Sequence, residues 1–409
     1  MNWPIVIGLT AAFTITATAA IAEQIDLQTS VRASAWSSDR LNQSEGGVQS
    51  VDLWIRGSSP PSEAVVSARF EAWAGSNPTG SDKPAADVRE ALVTVDFGAV
   101  TLSAGRQLFV WGRADRINPT DVISPHDYRR LVDEDEDNRL GIASVEISLP
   151  TSLGKFSGYW LPEFRSTELP QSLARPGLAV RKDQPNSAGS QFALRFERFG
   201  ESVDGSITYS EVADRIPWLA LETQRGRPPT LALKYPRLAT LGADLATNVG
   251  PYGLRLEAAA YDYDRAELQA FASGNPRFAA VLGVDRSFAG QWSVIAQAVL
   301  RVRSREFGPA GPVLAFSARN SVIHGAWRPN IYGGFVRIRK GFSGDRGSLE
   351  VAAASLSGGG SFSQIKGGFT LRDAVRMTVL LEHYTGDAAS YFGRLRGNNL
   401  AMVGLRAGF

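Results

Sequence analysis

The residues best able to do chemistry are concentrated between Trp111 and Gly141. This segment holds many arginines, the acidic run from Asp133 to Asp137, and two proline-containing turns. It has no helical or strand period, and compact proteins rarely contain so long a loop unless the loop has a function or is a linker. Arginine and carboxylate side chains around a narrow passage set ion selectivity. The chemistry indicated is therefore selection of solutes.

We predict that this loop lines the narrowest part of a channel. The candidate constriction residues are Arg106, Arg113, Asp115, Arg116, Asn118, Asp121, Arg129, Arg130, Asp133 and Asp135. Residues before proline avoid the helical region and aspartates cap nearby amides, which favours a loop packed against a wall. Arg106 does not fit the alternation of its strand, and a bulge at Gly105 would turn it inward. The alternatives are a solvated surface loop, and a calcium site in the acidic run, which lacks the EF-hand glycine and distal glutamate.

Period-2 alternation of apolar and polar residues surrounds the loop and predicts β-strands. For example, Val294 and Leu300 share one face with the alanines between them, whereas Arg301 lies on the other face. We count eight short turns and nine long loops, hence 18 strands; the long loops lie near 37–47, 75–87, 112–138, 162–189, 212–229, 264–276, 304–330, 356–360 and 385–398. Pro236 interrupts the segment from Thr230 to Thr247; if that segment is two strands the count changes, with 16 as the alternative.

These strands predict an all-β fold, a transmembrane antiparallel β-barrel. Strands of about nine to twelve residues suit a tilted membrane span, and the contrast of short turns with long loops is typical of outer-membrane barrels. After Glu23 there is no stretch of 18 apolar residues. Backbone polar groups in lipid must be paired within the protein, so a strand-built membrane protein must close on itself. The chain has no cysteine, as expected of one that crosses an oxidising compartment.

The predicted organisation is a signal peptide at 1–22 followed by a barrel at 23–409 with an inward-folded loop near 112–138. The uncharged, apolar start ends in Ala20-Ile21-Ala22, a cleavage pattern; an N-terminal membrane anchor is the alternative. At the other end, alternate residues from Ala401 to Phe409 share one apolar face. This segment resembles the terminal strand that the barrel assembly machinery reads, with Phe409 as assembly signal. The expected location is the bacterial outer membrane.

Alternation also assigns the two faces of the wall. The predicted lumen-wall arginines are Arg32, Arg56, Arg69, Arg195, Arg255, Arg301, Arg337 and Arg376. With inward acids in nearly equal number, they predict a hydrated lumen, and barrels of this size leave an aqueous channel. Val294 is expected to face lipid at mid-depth. Aromatic residues at strand ends predict a partial interfacial girdle; they are Trp36, Trp73, Trp111, Trp160, Tyr209, Tyr261, Tyr263 and Tyr384.

Residues 100–145 carry a resemblance to a known family. The residues and short motifs that carry the resemblance are Gly105-Arg106-Gln107, Trp111-Gly112, Asp115, Asn118-Pro119 and Asp121. Together with the following acidic run, this segment resembles a poorly characterised family of bacterial outer-membrane porin-like barrels. That family is distantly similar to alginate-export and phosphate-selective outer-membrane channels. The resemblance implies passage of solute across the outer membrane, with these residues near the constriction.

We therefore expect a porin-like channel for passive diffusion of small hydrophilic solutes, anionic ones among them. The main alternative is an exporter of an acidic polysaccharide, which an arginine-lined lumen would attract; lesser ones are a structural or adhesive barrel and an outer-membrane lipase or protease. Only three histidines are present, and common catalytic motifs are missing, so we expect no enzymatic activity, cofactor or metal. The expected partners are outer-membrane lipid, the assembly machinery, and small solutes or acidic polysaccharide. A net charge of +2 does not support nucleic-acid binding, and a homo-oligomer is compatible with such a barrel.

Overall fold

The computed structural model describes most of the chain after the predicted signal peptide. The described residues are 26–38, 46–59, 65–76, 85–170, 178–185, 191–264, 267, 275–304, 313–342, 344, 346–397 and 399–409. The predicted signal peptide at 1–22 lies outside them.

Eighteen antiparallel strands form one closed sheet, which confirms the predicted barrel and strand count. In chain order they are β1 (Asp26–Trp36), β2 (Val48–Ser58), β3 (Val66–Gly75), β4 (Ala85–Asp96), β5 (Thr101–Gln107), β6 (Ile142–Thr151), β7 (Gly154–Leu161), β9 (Gln191–Arg198), β10 (Val203–Ala213), β13 (Arg237–Val249), β14 (Tyr252–Tyr263), β15 (Pro276–Phe288), β16 (Trp292–Arg303), β17 (Asn330–Phe342), β18 (Gly347–Leu356), β19 (Gly360–Arg372), β20 (Val375–Thr385) and β21 (Leu400–Gly408). Each pairs with the next barrel strand along the chain.

The barrel closes where β21 pairs with β1, with Arg32 opposite Arg406. The backbone of Phe409 extends this pairing, because its N–H donates to the Thr29 carbonyl oxygen at 2.9 Å. The backbone ladder therefore runs around the whole cylinder, as burial in lipid requires.

Three further strands form a small separate sheet, β8 (Ala179–Lys182), β11 (Trp218–Glu222) and β12 (Thr230–Lys234). The segment around Pro236 is thus two strands, β12 and β13, but only β13 joins the barrel, so the count stays at 18. Sequence reasoning did not predict β8 and β11 as a separate unit.

Two other connections differ from expectation. The loop predicted at 356–360 is a short connection, because only residues 357–359 separate β18 from β19. The connection between β16 and β17 contains an eleven-residue helix, α1 (Val313–Ile323), which alternation does not reveal. None of the helices in the described ranges has the length and apolar character needed to cross a membrane.

The outer face of the barrel is apolar. On β15 the outward residue Leu282 is 57% exposed, and its cross-strand partners Leu256 on β14 and Ala298 on β16 continue the apolar surface. Large exposed apolar surfaces on a soluble protein are rare, whereas a lipid-facing barrel requires one. Val294 lies on this face as predicted, but it is the third residue of β16 and so sits near the short-turn end instead of at mid-depth.

The predicted aromatic girdle is mostly wrong. Trp36, Trp73 and Trp111 are buried, as are Tyr263 and Tyr384, and they pack inside the cylinder; only Trp160 of the predicted set is strongly exposed. Aromatic residues at strand ends can pack inside the barrel as readily as they can face lipid. In this chain most of the predicted residues pack inside the barrel.

Candidate functional site

The long loop between β5 and β6, residues 108–141, lies across the interior of the barrel. Its side chains and backbone contact inward residues from strands far apart around the cylinder, including Arg32 of β1, Asp244 of β13 and Gln364 of β19. A loop lying outside the mouth could not reach opposite walls at once. The loop therefore crosses the interior of the barrel from one side of the wall to the other.

The first anchor of the loop is Glu257, an inward carboxylate on β14 that is completely buried. It accepts hydrogen bonds from the backbone N–H groups of Arg113, Ala114 and Thr120 at 2.9–3.0 Å, and from the Thr120 hydroxyl at 2.9 Å. Charge-assisted bonds of this kind are about twice as strong as neutral ones. Gly112 precedes them with φ +95°, and a β-carbon there would lie 2.5 Å from the Glu257 carboxylate oxygens. A glycine is thus required beside the anchor.

A second group of contacts uses the charged residues that follow Gly112. The Arg113 Nε donates to Asp244 at 2.6 Å, and the Asp115 carboxylate lies 3.2 Å from the guanidinium of Arg337 on β17. Arg116, at φ +65°, donates to Gln364 at 2.7 Å. These side chains tie one half of the loop to the β13–β19 wall.

The other half is tied to β1–β4. The Arg130 guanidinium lies 3.4 Å from the centre of the Trp73 ring and 4.0 Å from Asp52, and burial lowers the pKa of Arg130 to about 10. It therefore remains charged at neutral pH. Asp137 pairs with Arg32, which itself lies over the Trp54 ring at 4.0 Å. Cation–π contacts gain strength when water is excluded, as it is here.

Arg89 joins the same anchor and was missed from the sequence. It pairs with Glu71, donates to the Arg139 carbonyl oxygen at 3.1 Å and lies 3.7 Å from Asp137. A register shift in the β3–β4 pairing skips Arg89, so strict alternation does not assign its face. Such a bulge leaves no clear trace in a single sequence.

Apolar packing fixes the part of the loop nearest β6 and β7. The Trp111 ring meets the Tyr159 ring edge-on at 5.6 Å between centres, and Ile123 is completely buried in the same cluster. The Ser124 hydroxyl donates to the Phe109 carbonyl oxygen. The Asn118 amide, in the orientation that satisfies both of its polar atoms, donates to the Ala114 carbonyl oxygen at 2.7 Å. The turn residues thus satisfy backbone groups that no strand pairs.

The acidic run borders open space. Among its residues Glu134, Asp135 and Glu136 keep 56–69% of their side-chain surface exposed. Each has a different cationic neighbour: Lys366 at 2.8 Å, Arg116 at 3.5 Å and Arg139 at 2.5 Å respectively. Asp133 contributes its carbonyl oxygen to Lys366 at 2.7 Å. The carboxylates are therefore divided among separate cations and do not converge, and among the described residues no group of metal-ligating side chains is found.

Asp121 is a buried member of the loop and pairs with Arg139. Burial raises the pKa of Asp121, while the charge of Arg139 opposes that rise. This salt bridge connects residue 121 to residue 139, and so holds together the two ends of the loop segment between them.

Two predicted constriction residues lie apart from the others. Arg129 turns to Asp127 at 2.9 Å and Glu168 at 3.5 Å, both outside the barrel strands. The expectation that a bulge at Gly105 turns Arg106 inward is wrong, since β5 pairs in unbroken register on both sides. The Arg106 guanidinium donates to Glu163 at 3.0 Å beside a cavity of about 660 Å³ where the loop leaves the wall.

The eight wall arginines divide into four groups. Arg32 and Arg337 hold the loop, as described. Most others pair with wall carboxylates: Arg56 with Glu71 at 2.6 Å, Arg69 with Glu90 at 3.4 Å, Arg195 with Glu197 at 2.8 Å and Arg255 with Asp285 at 3.1 Å. Arg301 lies against Gly325. Arg376 is exposed and lies opposite Arg406, also exposed, and neither forms a salt bridge within the described residues.

The small sheet and α1 form a second layer that contacts the loop. Trp218 of β11 stacks on His324 at 3.9 Å between ring centres and packs in one cluster with Tyr263 of β14 and Val122 of the loop. Asn320 of α1 bonds both backbone groups of Leu219, at 2.8 and 2.9 Å. The small sheet and α1 therefore cover part of the loop on the long-connection side of the barrel.

Comparison with solved structures returns outer-membrane barrels at low similarity. A porin mutant from Rhodopseudomonas blastica is 12% identical with a TM-score of 0.43, covering 94% of this chain and 100% of that one. A loop-deletion mutant of OmpT, an outer membrane protein of Vibrio cholerae, is 9% identical with a TM-score of 0.40, covering 94% and 99%. No family model and no curated protein matches the chain. At these values the likeness carries no argument, and the barrel assignment rests on the strand pairing of the chain itself.

Proposed function

We propose that the protein is an outer-membrane channel for passive diffusion of small hydrophilic solutes. The observation that carries the proposal is a closed barrel with an apolar outer face and an ionised lumen, crossed by a loop held at opposite walls. A sealed sheet of this type suits a bilayer, and its short turns and long loops match the periplasmic and external sides of outer-membrane barrels.

We further propose that anions pass preferentially along the sector of the wall formed by β20 and β21. Arg376 and Arg406 are adjacent across these strands and exposed, whereas most other wall arginines are neutralised by neighbouring carboxylates. The exposed acidic edge of the loop, residues 134–136, supplies charge of the opposite sign. Charged groups around a passage govern which ions enter it.

Planar-bilayer recording tests both statements. The expected result is steady single-channel conductance and a reversal potential showing anion preference in a salt gradient. Replacing both exposed arginines, R376Q with R406Q, should reduce that preference, while R255Q, which removes an arginine already paired with Asp285, should change it less. Absence of conductance would contradict the channel, and equal effects of the variants would contradict the special role of the β20–β21 sector.

The same recording separates diffusion from polysaccharide export. Added acidic polysaccharide should leave the conductance of a diffusion channel for small solutes nearly unchanged. A block at low polymer concentration would instead favour the exporter, because a polymer-conducting lumen must admit the chain.

A further inference from the structure

Two cations lie among exposed aromatic rings on the outer wall near the short turns. Arg286 of β15 pairs across strands with Tyr252 and Val294, and Lys340 of β17 pairs with Trp292. The rings of Tyr252, Phe288 and Trp292 are 41–45% exposed on this outward face. We call Tyr252, Arg286, Phe288, Trp292 and Lys340 the rim patch.

The rings hold both cations on the surface. The Arg286 guanidinium carbon lies 4.8 Å from the Tyr252 ring centre and 4.6 Å from that of Phe288, and its NH1 donates to the Tyr252 hydroxyl at 2.7 Å. The Lys340 Nζ lies 5.1 Å from the Trp292 ring centre and donates to the Gly290 carbonyl oxygen. Cation–π contacts position the charges without neutralising them.

No carboxylate on this face near the short turns compensates these charges. There the outward positions of β14 to β17, all within the described ranges, carry apolar, aromatic or small residues apart from the two cations. The outward acid Asp262 lies at the opposite end of β14 and pairs with Arg277. The Arg286 Nε is buried without a hydrogen-bond acceptor. Two uncompensated cations on either side of β16, on an otherwise apolar part of the wall, call for an anionic partner, since exposing them to hydrocarbon would be costly.

The depth of the rim patch identifies that partner. On β15 the outward series runs from Leu282 through Val284 to Arg286 and Phe288, which adjoins the short turn. Strands rise about 3.3 Å per residue, so Arg286 lies about 13 Å along the strand from Leu282, where hydrocarbon gives way to headgroups. Tyrosine and tryptophan favour this same zone.

We propose that the rim patch binds the phosphate of an anionic phospholipid in the leaflet next to the short turns. Arginine grips phosphate oxygens with two parallel donors, and lysine adds a point charge. The exposed leucines and valines above Arg286 would receive the acyl chains of the same lipid.

Native mass spectrometry of the detergent-purified full chain with added phosphatidylglycerol or phosphatidylcholine tests the proposal. The wild type should retain phosphatidylglycerol in preference to phosphatidylcholine. The double variant R286Q with K340Q should bind phosphatidylglycerol about 25-fold more weakly, because each cation at a membrane surface contributes about a factor of five. Retention of native heat resistance on gels will show that the variant barrel is folded.

The matched control removes two other cations near the short turns, R198Q with R372Q, from the ends of β9 and β19. It should bind phosphatidylglycerol like the wild type. Equal losses in both double variants would show a general charge effect and overturn a defined site, as would undiminished binding in R286Q with K340Q. A change of oligomer mass in that variant without loss of lipid would assign the patch to a second copy of the chain. Conductance is measured separately, so failure here leaves the channel proposal standing.

Discussion

At the scale of single residues, the charges of the long loop act mainly as attachments. Glu257 receives three backbone N–H groups and Arg130 lies between two tryptophans, whereas only the edge at 134–136 is strongly exposed. The sequence predicts that these charged residues line the narrowest part of a channel, but most of their side chains pair directly with other charged groups. An ionised group taken out of water is tolerated when a partner stands beside it.

Glu257→Gln should loosen the loop. The amide keeps one acceptor oxygen but replaces the other with N–H donors that face the backbone N–H groups of the loop. Bonds to a charged acceptor contribute about 1.5–3 kcal/mol each, so removing the charge should raise the rate at which protease cuts within residues 113–120.

Asp285→Asn is the control for this experiment, because Asp285 is an inward carboxylate paired with Arg255 instead of with the loop. Protease sensitivity of the loop should not change in that variant. Equal sensitivity of Glu257→Gln and wild type would show that the anchor contributes little.

His126 should make the loop sensitive to acid. Burial, aided by the charge of Arg139, lowers the pKa of His126 from 6.5 to about 4, and its ring stacks on Tyr128 at 5.4 Å. The folded loop therefore holds a neutral imidazole while the opened loop would bind a proton below pH 6.5. Stability is lost progressively as the pH falls from 6.5 to about 4, by about 3 kcal/mol at most.

The measurement is protease access to the loop in wild type and His126→Phe at pH 7 and pH 4. The variant should lose part of the acid-induced increase. His383→Phe, on the outward face of β20, serves as control and should behave as wild type. An undiminished increase in His126→Phe would assign the acid response to the carboxylates alone.

At the scale of elements, the loop and the wall were predictable to different degrees. Strand alternation located all 18 barrel strands because each has one face toward lipid and one toward water. The same rule failed at Arg89, since a bulge removes the fixed period there. At Arg106 the rule held, and the assumed bulge at Gly105 was the error. It also failed for α1, whose apolar residues form no single stripe.

The pairing of the loop with its anchors could not be read from the sequence. Glu257 and Gln364 were visible as polar residues on β14 and β19, but nothing local relates them to residues 113–120 or to Arg116, which are separated from them by 137–248 positions. Such contacts depend on the three-dimensional closure of the barrel.

Deleting residues 113–135 should enlarge the single-channel conductance, because the segment occupies the lumen. Deletion of the exposed turn at 223–229, between β11 and β12, is the control and should leave conductance nearly unchanged. Unchanged conductance after the first deletion would mean that current passes elsewhere.

At the scale of the whole molecule, stability in lipid depends on the depth of each outward position. Leu282 lies in the middle of β15, whereas Val294 lies near the short-turn end of β16. Arginine on a barrel's lipid face costs about 2–4 kcal/mol at the midplane and about 0–1 near the interface. The substitution L282R should therefore destabilise the barrel strongly, and V294R only slightly.

Urea unfolding in lipid vesicles measures this difference with the two variants as each other's control. Similar free energies of unfolding for both would show that depth does not follow position along the strand, and the proposed placement in the membrane would need revision.

Replacing Phe409 with a charged residue should lower the yield of assembled barrel in cells. Phe409 is 80% exposed, and only its backbone contributes to closure of β21 on β1. Loss of the ring should therefore affect recognition during assembly more than the stability of the finished barrel. Heat-resistant protein at normal yield would contradict that role.

The distance along the chain between the loop and its anchors has a consequence for the order of events during folding. The partner of Arg113 is Asp244, which lies 131 positions later in the chain. The partner of Arg116 is Gln364, which lies 248 positions later. Contacts so remote in sequence form slowly and late. The barrel should consequently close before the loop packs inside it. During that interval the lumen should be wider than in the mature protein.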